Sequence, residues 1–542
     1  MNFRSLRVFL PAFASCLLTP FAGCREGAKQ DGVLRVALGS DLPTLDPVSA
    51  DTGVTIFALQ DVVSTLFAYE DDGGAGRLVP FDASNYAWED EGRRLVIQLR
   101  ADLRWSDGIP LTACHYRDGW RRALDPQTAS AMSELFFDIR GATDLKAGRV
   151  KPEALGVRCD DAKSRLEIDV TTPFAPRLLH ALAFVVSAPL RADRAARLGP
   201  NWMLPTETEA GVASGSFVIE SWRRDRDLTL RARRADEGPA PKDRVPPHLK
   251  KIVMPVVRDP ATALALYETG ELDFLQEVPP NLLGKISSRK DFVSSPYFVT
   301  YMIGFSLKSN PALKDRRLRQ ALALAFDGAE IPKLLQGGEF EAKGWVPPGL
   351  LPGAERPTKP LRDLERARAL LKEAGYGPKR PLPRLVLAYN GGERHQLLME
   401  RAARKWKDEL GLDVELRPSE WKSFVSELKL KAPDLYRYAW AAAYSDPLFF
   451  LEIFRGRGLN NFGGWRNEEY DRLLAKLERT PIDRRDDVFW RDFSRAQEIL
   501  VREDPALVPV YHYVRNALVS SRVKNLRFSG RGIETLRDVE VR

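Results

Sequence analysis

Apolar and polar positions alternate in two short stretches of the first hundred residues. VLRVALG (33–39) and RRLVIQL (93–99) carry an apolar residue at roughly every second position. Successive side chains of a β-strand point to opposite faces of the sheet, so this period predicts half-buried strands. The second stretch runs on to Asp107-Gly108, a pair that favours a turn.

Between residues 362 and 417 the period changes to that of helices and back again. RDLERARALLKEAG predicts an amphipathic helix ending at Gly375, and ERHQLLMERAARKWKDELG predicts one ending at Gly411. PRLVLAYN and LDVELRP flank the second helix and predict strands. Helices that end on glycine between apolar strands are typical of βαβ units, so the sequence predicts a layered α/β fold. The Pro/Gly/Lys-rich stretches 237–250 and 343–360 predict exposed connections.

Composition adds the size and charge of the molecule. A chain of 542 residues exceeds the size of one hydrophobic core and predicts several structural units. The formal net charge of +8 is spread over 82 basic and 74 acidic residues. Because no basic block is interleaved with aromatic residues, the sequence favours a solvated mixed-charge surface over a nucleic-acid interface.

The N-terminal residues predict export. MNFRSLR is basic, and the apolar stretch VFLPAFASCLLTPFAG that follows is too short and too broken by proline to span a bilayer. Residues 1–23 are therefore interpreted as a signal peptide. FAGC resembles a bacterial lipobox, which makes Cys24 the predicted lipidation site. The alternative is ordinary signal cleavage nearby, with Cys24 incidental.

Two cysteines are left once Cys16 departs with the signal and Cys24 takes lipid. Cys114 and Cys159 could pair in an oxidising compartment or stay as two buried thiols. Sequence does not show whether they are near each other, so both alternatives stand.

Motifs for catalysis, metals and cofactors are missing from the sequence. There is no H-E-x-x-H, C-x-x-C, G-x-S-x-G or phosphate-binding glycine loop. The five histidines are far apart along the chain: His115, His180, His248, His395 and His512. The sequence therefore indicates no catalytic residue, metal or cofactor, and a protein that is not an enzyme.

Six segments in order carry a family resemblance. They are LGSDLPTLDP (38–47), LRADLRWSDGIPLTA (99–113), LDPQTAS (124–130), SGSFVIESW (214–222), TGELDF (269–274) and LVPVYHYV (507–514). Together they resemble the extracellular solute-binding proteins of peptide ABC importers, the oligopeptide/dipeptide-binding family. The resemblance runs from about residue 33 to about residue 520, and EWKSF (420–424) with the W…AYSDP segment is similar to the oligopeptide-binding branch.

The resemblance implies an α/β fold of the periplasmic-binding-protein type II class, in which two lobes close on a ligand and a third domain is added. The implied division is domain I from 25–64, 188–294 and 512–542, domain II from 65–187, and domain III from 295–511. It further implies a monomer on the periplasmic or cell-surface side of a bacterial membrane that delivers its ligand to an ABC permease. The alternatives are a sensor or chaperone-like lipoprotein of the same fold, or a binder of a non-peptide solute.

The resemblance also locates an anchor for the ligand's amine in WAAAYSDP (440–447). In the oligopeptide-binding branch a carboxylate stands just before the tyrosine of this segment and receives the α-ammonium of the peptide. Here the position is Ala443. A desolvated ammonium without a counter-charge is costly, so the predicted ligand is a peptide or peptide-like molecule whose amine is blocked, repositioned or not read.

Eight further positions complete the predicted site. Asp446 and Asp51 are candidate compensating acids, each with a plainer alternative as a turn or cap and as a solvated loop charge. Arg437 aligns with an arginine that takes a ligand carboxylate, to which a guanidinium is well suited. The other candidates match pocket-lining aromatics or a terminus-reading histidine: Trp421, Trp440, Tyr444, Tyr297 and His395. The plainer alternatives are core packing for either tryptophan and a surface or capping role for His395.

Overall fold

The computed structural model describes residues 31–542, except 71–75, 235–236, 238–246, 354–355, 358, 360, 457, 459 and 533. The predicted signal peptide 1–23 and the predicted lipidation site Cys24 lie outside the described residues. Within them, every helix is too short or too polar to cross a membrane.

The strands, in chain order, are β1 (Val33–Arg35), β2 (Phe67–Glu70), β3 (Arg77–Pro80), β4 (Ala83–Glu89), β5 (Arg94–Leu99), β6 (Val157–Asp160), β7 (Arg165–Asp169), β8 (Phe217–Arg223), β9 (Asp227–Ala232), β10 (Lys251–Pro255), β11 (Phe274–Leu275), β12 (Phe292–Phe305), β13 (Phe340–Glu341), β14 (Leu385–Asn390), β15 (Val414–Ser419), β16 (Leu435–Ala441), β17 (Leu507–Val519), β18 (Val523–Lys524) and β19 (Glu540–Val541).

The α-helices are α1 (Gly53–Leu59), α2 (Ala113–Leu124), α3 (Ala142–Lys146), α4 (Pro176–Ala181), α5 (Ala192–Leu198), α6 (Pro260–Glu268), α7 (Leu283–Ile286), α8 (Arg316–Ala325), α9 (Ile331–Leu335), α10 (Leu364–Glu373), α11 (Glu393–Leu410), α12 (Trp421–Lys431), α13 (Leu448–Glu452), α14 (Glu468–Leu477) and α15 (Asp487–Glu498).

The βαβ unit predicted from residues 362–417 is present. Strands β14 and β15 pair in parallel, starting at Leu385 opposite Val414, and α11 connects them. Gly411 has a φ of +74° and its N–H caps α11 by donating to the Lys407 carbonyl. That left-handed conformation favours glycine, which is why the helix ends there.

This unit belongs to a seven-stranded mixed sheet with the order β11-β17-β12-β16-β14-β15, in which β13 also pairs with β17. Both faces of the sheet are covered. On β12 the side chains of Tyr301 and Ile303 enter one apolar cluster, while Phe298 and Met302 enter the other. The alternation places β12 and its neighbour β16 between two cores.

Two four-stranded sheets lie outside the large one. Their orders are β1-β10-β9-β8 and β4-β5-β7-β6, and they share a single continuous apolar core. The first sheet combines residues 33–35 with residues 217–255, so the chain leaves it and returns after more than 180 intervening residues. The domain boundaries given above stay a prediction.

Cys114 and Cys159 are joined by a disulfide bond with a Cα–Cα distance of 5.2 Å. It connects α2 to β6, two elements 45 residues apart in sequence. Of the two alternatives left open by the sequence, the structure has the disulfide. Asp161 lies beside the pair, but the oxidised sulfurs offer no thiolate to a metal.

The prediction that 343–360 is an exposed connection is wrong over its first part. Trp345 and Val346 are fully buried. The Trp345 indole packs against Phe450 and Phe454 and donates to the Phe450 carbonyl at 2.6 Å. Proline and glycine do end regular structure here, but the segment fills a space that only the tertiary fold creates.

Candidate ligand-binding site

Strand β16 carries Arg437 and Trp440 on opposite faces of the large sheet. In the β12 pairing, Arg437 is opposite Ile303 and Trp440 is opposite Thr300. Their odd separation along a strand directs the two side chains to different sides. The structure therefore divides the predicted site into two groups of residues.

The first group, here called the Arg437 cluster, consists of Arg437, Asn390, Tyr301 and His395. Arg437 is 7% exposed, its Nη1 donates to Asn390 Oδ1 at 2.8 Å, and its Cζ lies 4.6 Å from the Tyr301 ring centre. Its Nε has no hydrogen-bond partner in the part of the chain that the structure describes. Among the described residues, no carboxylate oxygen lies within 4.0 Å of the Arg437 guanidinium, the distance that defines an ion pair. A buried guanidinium without a counter-ion is unusual, because burying an unpaired charge is costly.

His395 lies in the first turn of α11, and its Nδ1 is 3.1 Å from the Tyr301 hydroxyl. Burial, together with the positive charges of Arg437 and Arg394, lowers the pKa of His395 to about 4. The imidazole is therefore neutral at pH 7 and can hydrogen-bond a ligand group without adding a charge. Arg394 already has a carboxylate partner in Glu339, at 3.3 Å.

The second group, here called the aromatic wall, consists of Trp440, Phe449 and Tyr444. The Trp440 ring stacks on Phe449 with centres 5.3 Å apart, and its Nε1 donates to the Phe449 carbonyl at 3.2 Å. The Tyr444 ring meets Phe449 edge-on at 4.8 Å. These contacts fix the aromatic rings against one another and leave the wall as one surface.

Segment 442–445 connects distant parts of the chain. The Ala442 N–H donates to the Phe298 carbonyl on β12, while the Ser445 N–H donates to the Tyr69 hydroxyl on β2. Ala443 is half-buried between these two bonds. It offers no polar side-chain atom where the resemblance places an amine anchor.

Asp446 is 2% exposed and is already bonded on both carboxylate oxygens. Arg485 donates to Oδ1 at 3.2 Å and to Oδ2 at 2.6 Å, and the Leu448 N–H donates to Oδ1 at 2.9 Å. Burial alone would raise its pKa, but Arg485 and His180 outweigh burial and hold the pKa well below its usual range. The turn-and-cap alternative thus describes its contacts, and ligand contact by Asp446 stays a prediction.

Three other predicted residues lie apart from these groups. Trp421 is 49% exposed at the start of α12, with its ring 6.3 Å from that of Phe424. Asp51 is exposed in the loop before α1. Tyr297 is half-buried on β12 against Gly532, where an added Cβ would come within 2.8 Å of the tyrosine ring. Their contact with a ligand stays a prediction.

Glu452, the last residue of α13, is absent from the site residues predicted from the sequence. This carboxylate lines a cavity of about 330 Å³ whose walls include Trp440, Tyr444, Asp138 and Arg177. The signal was present, because Glu452 is the one charge in the apolar run LFFLEIF (448–454). A lone acid in such a run has to meet a partner from elsewhere in the fold.

The chain belongs to the bacterial extracellular solute-binding proteins, family 5, whose model (family 5 Middle) matches residues 77–462. The resemblance in the sequence motifs and the expected periplasmic-binding-protein-like α/β fold are confirmed by this membership and by the similar structures described next.

Three relatives illustrate the similarity. The "Probable deoxycholate-binding periplasmic protein YgiS" of Escherichia coli K12 is 29% identical over 491 residues, 89% of this chain and 88% of that protein. The murein peptide-binding protein MppA of the same strain is 27% identical over 503 residues, which cover 89% of this chain and 88% of MppA. The unliganded open form of MppA superposes with a TM-score of 0.81 at 25% identity, covering 94% of this chain and 98% of MppA. Listeria monocytogenes OppA bound to peptide gives a TM-score of 0.68 at 26% identity, covering 94% of this chain and 99% of that OppA chain.

Proposed function

We propose that this protein is the lipid-anchored solute-binding component of an ABC importer. It captures a peptide or peptide-like ligand between its lobes and delivers it to a membrane permease. The lobes would be the predicted domains I and III, and Cys24 would carry the lipid. Energy for transport would come from the partner ATPase, so binding and release are the whole of this chain's activity.

The observation that carries the proposal is the buried Arg437 guanidinium, which has no carboxylate partner among the described residues. A ligand carboxylate, such as the C-terminus of a peptide, would supply the missing counter-charge through charge-assisted hydrogen bonds. Asn390 and Tyr301 hold the guanidinium from two sides. The names of the relatives MppA and OppA agree with a peptide as the source of that carboxylate.

The test is native mass spectrometry of protein purified from its own host, followed by calorimetry. We expect a co-purified carboxylate-bearing peptide or peptide-like molecule. In calorimetry a peptide with a free C-terminus should bind more tightly than its C-terminal amide. Equal affinity for the two forms would contradict the role of Arg437.

A second candidate ligand is a carboxylated amphipathic molecule without an amine. Ala443 favours it, because the position offers no charge to an ammonium, and one relative is named for deoxycholate binding. Recovery of such a molecule as the only cargo would favour this candidate over a peptide. A protein that retains no cargo and has no permease gene beside its own would favour the sensor or chaperone-like alternative.

The lipid anchor has a separate test. Cys24→Ala should abolish incorporation of radiolabelled palmitate and release the protein from the membrane fraction. Cys16→Ala is the matched control, since Cys16 lies inside the predicted signal peptide. Membrane association that survives Cys24→Ala would contradict lipidation at this residue.

A further inference from the structure

The cavity beside the aromatic wall brings together charges from distant parts of the chain. Asp138 and Arg177 belong to the segment predicted as domain II, and Glu452 belongs to the segment predicted as domain III. Arg177 lies 3.0 Å from Asp138 and 3.4 Å from Glu452, so one guanidinium serves two carboxylates. A second cavity of about 300 Å³ shares these three residues.

The charged groups around Glu452 contain more carboxylates than guanidiniums. Arg455 pairs with Glu478, and Arg485 pairs with Asp446. Arg177 is the guanidinium left for both Asp138 and Glu452. Among the described residues, four buried or half-buried carboxylates thus face three guanidiniums. The exposed Glu134 at the wall of the same cavity is a fifth acid, and His180 lies 3.5 Å from Asp446.

Glu452 responds to this excess by holding a proton. Burial raises its pKa to about 8, with Glu478 and Asp446 adding to the rise and Arg177 and Arg455 opposing it. A cationic ligand group that entered the cavity would replace this proton.

Tyr444 supplies an independent sign of an absent partner. It is 4% exposed, and no described residue forms a hydrogen bond with its hydroxyl. Burial raises the pKa of the Tyr444 hydroxyl, with Glu452, Asp446 and Asp138 adding to the rise and Arg177 opposing it, and Tyr444 is among the residues that line the same cavity. A buried polar atom without a partner is costly and usually reflects a missing water or ligand.

We propose that a primary ammonium of the ligand binds in this cavity, where it donates to the Glu452 carboxylate and to the Tyr444 hydroxyl oxygen. This inference rests on the proposed function and names where a peptide's amine is read when position 443 is alanine. On binding near neutral pH, the Glu452 proton passes to solvent and the ammonium takes its place as the counter-charge. Arg177 stays with Asp138.

The experiment is calorimetry at pH 7 with tetra-alanine and N-acetyl-tetra-alanine as probes. Glu452→Gln should weaken binding of the free peptide by about 10- to 100-fold, as expected for hydrogen bonds to a charged group, and leave the acetylated peptide unchanged. Glu468→Gln is the matched control, an exposed acid at the start of α14 that lies outside the cavity lining, and should change either affinity less than about 3-fold. Tyr444→Phe keeps the ring and removes only the hydroxyl, so it tests the site even if Glu452→Gln folds poorly; a smaller, selective loss for the free peptide is expected.

Repeating the titrations in buffers of different ionisation enthalpy counts protons. Wild-type protein should release a proton when it binds the free peptide, and Glu452→Gln should release none. If wild-type binds both peptides equally, or Glu452→Gln weakens both equally, the amine site is overturned and peptide binding stands. If neither peptide binds to wild-type, the proposed function itself fails, and the amine site fails with it.

Discussion

At the scale of single residues, charges that lack a partner mark the candidate site. Most arginines with buried head groups are paired; Arg319, for example, binds Asp504 and two carbonyls. Arg437 instead has an amide and an aromatic ring around it. Burying a guanidinium without an anion costs desolvation free energy, and a ligand carboxylate would offset that cost.

Arg437→Gln should weaken binding of a peptide with a free C-terminus by about 10- to 100-fold, the range for hydrogen bonds to charged groups. Calorimetry measures this loss, and the C-terminal amide of the same peptide should lose much less. Arg437→Lys is the control, because it keeps the charge but loses the planar fork and should give an intermediate affinity. A uniform loss for both peptide forms would point to a folding defect instead.

Acid should destabilise the protein through His512. This side chain is 1% exposed on β17, where its Nδ1 is 2.8 Å from Thr300 Oγ1, and burial lowers its pKa to about 3. The unfolded chain binds the proton at about pH 6.5. Between about pH 3 and pH 6.5 the unfolded state binds more protons than the folded state. The free energy of unfolding is therefore greatest above about pH 6.5 and falls as the pH drops through this range.

Thermal unfolding at several pH values measures this effect. His512→Gln should show a shallower loss of melting temperature between pH 6 and pH 4 than wild-type protein. His248→Gln, at a half-exposed histidine, should follow the wild-type curve. Parallel curves for His512→Gln and wild-type would contradict a buried neutral His512.

At the scale of elements, the local sequence pattern predicts where helices and strands lie. It does not predict which distant segments pack against them. Glycine at 375 and 411 ends α10 and α11 as predicted, because each takes a positive φ that other residues avoid. The buried stretch around Trp345 and the disulfide between α2 and β6 could not be read locally. Each depends on a contact with a segment 45 or more residues away.

Removing the disulfide should loosen the unit formed by α2 and β6. Closing a loop of 45 residues in the unfolded chain predicts a loss of about 2–4 kcal/mol in the free energy of unfolding for Cys114→Ser/Cys159→Ser. Urea unfolding measures it, and wild-type protein under reducing agent should match the double variant. An unchanged midpoint would mean that the bond does not constrain the unfolded chain.

At the scale of the whole molecule, contacts near the site join three parts of the chain. His180 on α4 lies between the rings of Tyr69 and Tyr444, at centre distances of 5.9 and 4.8 Å. In the proposed function, ligand binding would shift the population of the protein from open to closed lobes.

Small-angle X-ray scattering should therefore show a smaller radius of gyration when a binding peptide is added. At the same peptide concentration Arg437→Gln should show a smaller change, since less ligand is bound. The ligand-free curves of the two proteins should superimpose. A radius of gyration that does not change at saturating peptide would contradict closure.

The sequence by itself determined the strand and helix periods, the βαβ unit and the ordered motifs that identify the family, because each is carried by neighbouring residues. It also marked Arg437 and the alanine at position 443. Only the tertiary structure decided which charges are paired. Arg177 and Glu452 lie 275 residues apart, and their contact exists only because the folded chain brings α4 and α13 to the same cavity. Whether a charge is paired depends on every group around it in the folded protein. Most of those groups are distant in sequence, so no local pattern predicts the pairing.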